Sequence, residues 1–268
     1  MKKILAGALL TVSALTLAAC SGDDSEKLVV GASNEPHAAI LEKVEPILEK
    51  QGIELDIQTY QDYVLPNKDL DSGFLDANFF QHIPYLESQI ADFGYDFVNA
   101  GSIHIEPIGL YSKKYKSIEE LPEGATILMS NSVADHGRVL AMLEEKGLIT
   151  LKEGVDKTKA EVSDIVDNPK NINFDANYES ALMVQLYENN EGDALLINSN
   201  YALDAGLNPL EDSIAIEDPD ASPYLNIVAV KAGNEDDKRI QALVEALHSE
   251  EIQEFILSEW GGSVVPVH

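Results

Sequence analysis

The chain of 268 residues predicts an α/β fold in two lobes, each a mostly parallel sheet flanked by helices. Three observations carry this. Strand-like and helix-like hydrophobic patterns alternate from Leu28 onward, and that alternation places helices on the faces of a parallel sheet. Apolar residues make up 45% of the chain, the usual share for packed globular cores. Two extended segments, His104 to Tyr111 and Ser222 to Val230, each begin near a proline and run into an apolar strand, as crossings between lobes do. They divide the chain into a first lobe of residues 28–109 and 226–268 and a second of residues 110–225.

The elements follow in order. Met1-Lys2-Lys3 and the apolar run Ile4 to Ala19 form a signal peptide, a basic start followed by a short hydrophobic segment and small residues. The run is shorter than the roughly 20 apolar residues a membrane span needs. Cys20, the only cysteine, closes Leu17-Ala18-Ala19-Cys20, which resembles the bacterial lipobox. Cys20 is therefore expected to carry lipid and to become the mature N-terminus, at the extracytoplasmic face of the cell membrane. Residues 20–27 are small and charged and read as a flexible tether.

Leu28 to Gly31 reads as a buried strand. Pro36 opens a helix with Ile40, Leu41, Val44, Ile47 and Leu48 on one stripe, and Gly52 lies just past its end. Ile53, Leu55 and Ile57 alternate with polar residues as in a strand, and Ala77 to Phe80 is a short one. Pro84 to Phe93 is a helix stopped by Gly94. Val98 to Tyr111 is extended. Ala125 to Met129 is a strand, and Ser132 to Lys146 a helix ended by Gly147. A helix over Tyr178 to Tyr187, strands over Asp193 to Ile197 and Leu225 to Val230, and two helices ending at Trp260 complete the pattern.

The formal charge is −29. Such a surface repels nucleic acid and anionic headgroups. The only arginines are Arg138 and Arg239, so a small anionic group has few counter-charges to choose from. Arg138 follows a strand and sits near a helix start, where backbone N–H groups and a guanidinium fork both suit a carboxylate. Arg239 lies in a charge run that reads as a solvated helix face.

Ligands of open α/β sheets sit beyond the carboxyl ends of the strands. Asp62 to Asn67 and Asp76 to Tyr85 both lie there. Phe79 and Phe80 must point to opposite sides of their strand, so one packs in the core while the other faces the cleft. Tyr63, Phe80, His82 and Tyr85 can line an apolar slot with polar tips. Asn198 and Asn200 follow one strand and Asn226 begins another; an amide can read both ends of a zwitterion.

Six strings, Tyr63-Val64-Leu65-Pro66-Asn67, Asp76-Ala77-Asn78-Phe79-Phe80-Gln81-His82, His104-Ile105-Glu106-Pro107-Ile108-Gly109, Tyr111-Ser112-Lys113-Lys114-Tyr115, Asn198-Ser199-Asn200-Tyr201-Ala202 and Ser222-Pro223-Tyr224-Leu225-Asn226, resemble the methionine-binding lipoproteins of bacterial ABC importers. The resemblance runs from about Val29 to the C-terminus. It implies a two-lobed periplasmic-binding-protein fold that closes on a free amino acid and delivers it to the importer's membrane subunits. It also implies that Tyr63, Phe80, His82 and Tyr85 hold the thioether side chain and that Arg138 takes the carboxylate. Asn198 or Asn200, with Asn226, would bind the amino-acid backbone. One departure stands out. Before Gly-Arg the family carries a string like Pro-Asn-Asp-Pro-Thr-Asn-x, where this chain has Ser130-Asn131-Ser132-Val133-Ala134-Asp135-His136. Both prolines are gone and Asp135 sets a carboxylate close to Arg138, which leaves room for a related amino acid or a methionine-containing dipeptide.

Catalysis has no support: Gly-x-Ser-x-Gly, His-Glu-x-x-His and phosphate-loop patterns are missing, and no cofactor is implied. A metal-binding transport lipoprotein is the other alternative. Among the six histidines, His37, His82, His104, His136, His248 and His268, no pair has tight metal-ligand spacing, and a cluster of His82, His104 and His136 is the grouping such a site would need.

Overall fold

In the computed structural model, which describes residues 26–220 and 222–267, the chain enters strand β1 (Glu26–Ser33). The expected signal peptide, Cys20 and the tether as far as Ser25 lie outside the described residues. Glu26 and Lys27, read as tether from their charge, are the first residues of β1, paired with Ile53 and Glu54. Ladder bonds use the backbone, so exposed charged side chains do not prevent pairing. Next come helix α1 (Ala39–Glu49), β2 (Ile53–Tyr60), α2 (Leu65–Ser72), β3 (Ala77–His82), α3 (Ile83–Phe93) and β4 (Phe97–Ile105). The second part holds β5 (Gly109–Tyr111), β6 (Thr126–Ser130), α4 (Val133–Glu145), β7 (Thr150–Leu151), β8 (Ile165–Asp167), β9 (Asn173–Tyr178), α5 (Met183–Glu188), β10 (Ala194–Ile197), α6 (Ser199–Asp204), α7 (Pro209–Asp212) and β11 (Ser213–Ile216). The chain then returns through β12 (Leu225–Lys231), α8 (Lys238–Leu247), α9 (Glu250–Trp260) and β13 (Val265–Pro266).

Two sheets result, ordered β13-β4-β12-β3-β1-β2 and β11-β5-β10-β6-β9. The expected parallel character holds for β2-β1-β3 and for β9-β6-β10, and each sheet is completed by antiparallel strands. The reason is the crossings. Gly109 pairs with Ile197 and Ile216 in the second sheet, and Leu225 pairs with Ile105 in the first. The chain thus changes sheet between Ile105 and Gly109 and again between Ile216 and Leu225. β5 and β12 enter their sheets from these crossings with no helical return to bring them in parallel, and β13 is antiparallel although it follows α9.

Each sheet is covered on both faces, and the period of two along its strands sorts side chains between them. In β12, Val228 and Val230 face the core under α1, α8 and α9, while Ile227 and Ala229 face the one under α2 and α3. In β10, Ala194 and Leu196 join the core with α4, and Leu195 and Ile197 join the one with α5 and α6. Each fully buried Leu or Ile contributes about 1.5–3 kcal/mol. Gly94 and Gly73, at φ 73 and 78, end α3 and α2 in left-handed turns.

Two expectations about elements change. Tyr178 is the last residue of β9, not a helix start, and the helix is confined to Met183–Glu188. The strand Asn-Phe-Asp-Ala-Asn-Tyr is half exposed and too polar to show a strand pattern. Arg239 is not simply solvated: its Nε and Nη2 bond the Asp237 carboxylate, its Nη1 bonds Lys27 O at 2.5 Å, and Nη2 lies 3.4 Å from Asp76. It fastens the start of α8 to β1. Trp260, the one tryptophan, ends α9 with its ring 5.5 Å from Phe255. With Leu203, Leu207 and Leu210 it lines a surface hollow at the seam between the two parts. Among the described residues no helix is long and apolar enough to cross a membrane.

Candidate ligand-binding site

One cavity between the sheets is lined by Tyr63, Phe80, Gln81, His82, Tyr85, Glu106, Asp135, Arg138, Asn198, Ser199, Asn200 and Asn226. All eight side chains singled out as ligand-binding candidates from the sequence are among them.

The first wall grows from β3, whose six residues are all buried. Phe79 packs in the core beneath α1, and Phe80 faces the cavity. The register against β12 slips here, with Gln81 opposite Ile227 and Phe79 opposite Val228, so Phe80 is the extra residue of a bulge. Bulges re-aim side chains in this way. The polar residues of the same string hold the strand in place. Asn78 Nδ2 donates to Asn67 Oδ1 at 2.9 Å, Asn67 Nδ2 to Gln81 Oε1 at 3.1 Å, and Gln81 Nε2 to Asn67 Oδ1 and Asn78 Oδ1, each at 2.9 Å. This closed amide network ties α2 to β3 and satisfies groups that would each cost about 1–3 kcal/mol if buried unpaired.

The aromatic rings collect beside it. Tyr63 lies 5.9 Å from Phe80, 5.8 Å from Tyr85 and 5.1 Å from Tyr201 by ring centroids. The Tyr85 hydroxyl donates to Tyr63 O at 3.0 Å, and the Tyr63 hydroxyl donates across the cleft to Asn200 Oδ1 at 2.6 Å. Burial raises the Tyr63 phenol well above its ordinary value. His82 caps α3 by accepting the Tyr85 N–H on Nδ1 at 3.1 Å. Nε2 therefore carries the proton and donates to Asp135 Oδ1, 3.0 Å away on α4.

The second wall is charged. Asp135 and Arg138, on the first turns of α4, are 3% and 4% exposed. Arg138 Nε lies 3.1 Å from Asp135 Oδ1, out of line with its N–H, so the contact is Coulombic rather than a hydrogen bond. Arg138 Nη1 lies 3.6 Å from Glu217 Oε2 and 3.5 Å from Glu106 O, and the guanidinium stacks 4.9 Å over Tyr224. Asn198 Nδ2 donates to Asp135 Oδ2 at 3.3 Å. Burial works against the Asp135 charge, yet Arg138 and the bonds from His82 and Asn198 outweigh it and hold the carboxyl well below the usual range. Gly137 permits this placement, because a Cβ there would come within 2.5 Å of Lys157 O.

Glu106 closes the floor, and sequence reasoning did not select it. His104 Nε2 donates to its Oε1 at 2.7 Å; His37 Nε2 lies 3.2 Å from the same oxygen and 3.1 Å from Asn226 Oδ1. Ser33 Oγ bonds His37 Nδ1 at 2.6 Å. Burial lowers His37 to about 4 and His104 to about 3, and raises Glu106. Glu106 stood in the string from His104 to Gly109, a signal that was available. These three side chains offer metal-ligand atoms within 4.8 Å of one another, and each already has a hydrogen-bond partner: His104 bonds Glu106, and His37 bonds Ser33 and Asn226. The grouping of His82, His104 and His136 does not form: His82 bonds Asp135, His104 bonds Glu106, and His136 Nε2 bonds Ser130 O at 2.9 Å.

Comparison with known proteins adds to this geometry. The sequence profile of the NlpA lipoprotein family matches residues 28–268. The methionine-binding lipoprotein MetQ of Bacillus subtilis is 47% identical over 273 residues, spanning 100% of this chain and 99% of the relative. Among solved structures, a YaeC-family lipoprotein of Enterococcus faecalis is 54% identical with a TM-score of 0.88, covering 90% of this chain and 100% of that one. A nutrient-binding protein of Burkholderia cenocepacia, bound to methionine, is 40% identical with a TM-score of 0.84, covering 90% of this chain and 100% of that one.

Proposed function

The chain belongs to the NlpA lipoprotein family, and from that premise we propose that it captures methionine between its two lobes and delivers it to the membrane subunits of an ABC importer. The observation that carries this is the convergence of eight candidate side chains from both sheets on one cavity. Tyr63, Phe80, His82 and Tyr85 supply the apolar, polarisable lining that a thioether favours. Arg138 receives the carboxylate; Asn198 or Asn200, with Asn226, bonds the amino-acid backbone; and Glu106, held by the His104 N–H, faces the ammonium.

The expected lobes, residues 28–109 with 226–268 and 110–225, meet at the two crossings, where Gly109 already pairs in the second sheet and Leu225 in the first. Cys20 holds the protein by lipid at the extracytoplasmic face of the membrane. The NlpA family assignment and the homology to lipoproteins support that anchoring.

Calorimetry of the purified protein with L-methionine, D-methionine and glutamine tests the binding. A methionine enantiomer should bind while glutamine does not, since glutamine's amide would lose about 1–3 kcal/mol without partners among the rings. Glutamine binding as tightly as either enantiomer would overturn the assignment. Cys20→Ala should release the protein from the membrane fraction or leave it unprocessed.

A further inference from the structure

Resting on the reading of this cavity as a seat for methionine compounds, we propose that the site prefers compounds of net charge +1 to the neutral zwitterion, and that Asp135 sets this preference. The cavity is lined by two carboxylates, Glu106 and Asp135, and one guanidinium, Arg138. A third carboxylate, Glu217, touches Arg138 from behind at 3.6 Å. All four groups are at least nine-tenths buried. His37 and His82 add no charge while each accepts a hydrogen bond on Nδ1. Even with Glu106 left out, since burial favours its neutral form, two carboxylates, Asp135 and Glu217, stand against one guanidinium.

Buried charges without partners are costly. A zwitterion brings one charge of each sign and leaves that surplus untouched. A compound with one more cation than anion removes part of it. The carboxylate of a zwitterion also meets Asp135 across the guanidinium it must share, at like charge. Asp135 reaches both ends of the cavity, through Arg138 at the charged end and His82 at the aromatic end. It thus acts on a cation at either place. The rings of Tyr63, Phe80 and Tyr85 that line the cavity offer faces that attract onium groups, and the overall charge of −29 concentrates cations around the protein.

Two commercial compounds separate the sources of the extra charge. S-methylmethionine adds a sulfonium at the aromatic end, and L-methioninamide removes the carboxylate at the Arg138 end. Calorimetry of the unmutated protein with these and L-methionine is the first measurement. At least one cationic compound should bind more tightly than L-methionine. In Asp135→Asn the ratio of affinities should move toward L-methionine by about tenfold or more, the change expected for losing one nearby buried charge. L-methionine binding as tightly as both cations, or more tightly, to the unmutated protein would overturn the proposal. So would a ratio that Asp135→Asn leaves unchanged within twofold. Failure of all three compounds to bind the unmutated protein would instead overturn the methionine reading on which the proposal rests.

Discussion

The wall that β3 gives the cavity and the wall that the start of α4 gives it differ in what holds their side chains. In β3 the backbone is fixed on both sides by ladders to β1 and β12, and its polar side chains close an amide network with Asn67. Phe80 inherits its position from that frame. In α4 the helix places Asp135 and Arg138 on one face, but their partners come from far along the chain: His82, Glu217, Tyr224 and Asn198. The first wall is neutral and set by backbone. The second is charged and set by side chains that hold one another. Its geometry therefore depends on each member in a way the first does not.

The largest effect should come from removing Arg138. Arg138→Ala should weaken methionine binding roughly 30-fold or more, about 2–5 kcal/mol, by calorimetry. It should also lower stability, because Asp135 is left buried without its counter-charge. Adding Asp135→Ala should restore part of the stability and none of the binding. The other arginine is the control: Arg239→Ala should leave affinity unchanged and cost stability alone.

Next in size is the amide network. Asn67→Ala leaves Gln81 Oε1 without its donor and takes one acceptor each from the Asn78 and Gln81 amides, and should cost about 1–3 kcal/mol in urea unfolding. Intact stability in that variant would mean the ladders alone hold the first wall.

The acid dependence sharpens the contrast at the floor. His37 and His104 sit at about 4 and 3 in the folded protein, against 6.5 when unfolded. Between those values the unfolded chain takes up protons that the folded protein refuses, so stability falls as pH drops below 6.5. Glu106, raised by burial, acts in the opposite sense and offsets part of the loss at lower pH. The slope from about pH 6.5 to 5 should be on the order of 1 kcal/mol per pH unit. His37→Gln should flatten it.

The smallest effect is expected at Tyr63→Phe, which removes one cross-cleft hydrogen bond to Asn200. It should cost about 0.5–1.5 kcal/mol of affinity and leave the melting temperature nearly unchanged.

The same contrast explains what could be read in advance. The strands and helices with strong periodicity were legible, as were Phe80, Tyr63 and Tyr85, because strand-end position and ring chemistry are local properties. Short elements such as α2, α6 and β9 were not, since few apolar residues mark them. Glu106 has one partner close in sequence, His104, but its burial and its approach to His37, 69 positions away by number, come only with the fold. Arg239 was misjudged for a similar reason: Lys27 O and Asp76, which it binds, are remote in sequence. A charge run looks solvated until the surface opposite is known.

Trp260 gives the molecule a built-in optical gauge. It is the sole indole, on α9 beneath the first sheet, and it shares its hollow with Leu203, Leu207 and Leu210 from the other side of the seam. Any opening of the cleft moves those leucines relative to the ring and changes the polarity around it. The colour and quenching of its emission therefore follow the separation of the two halves without a dye.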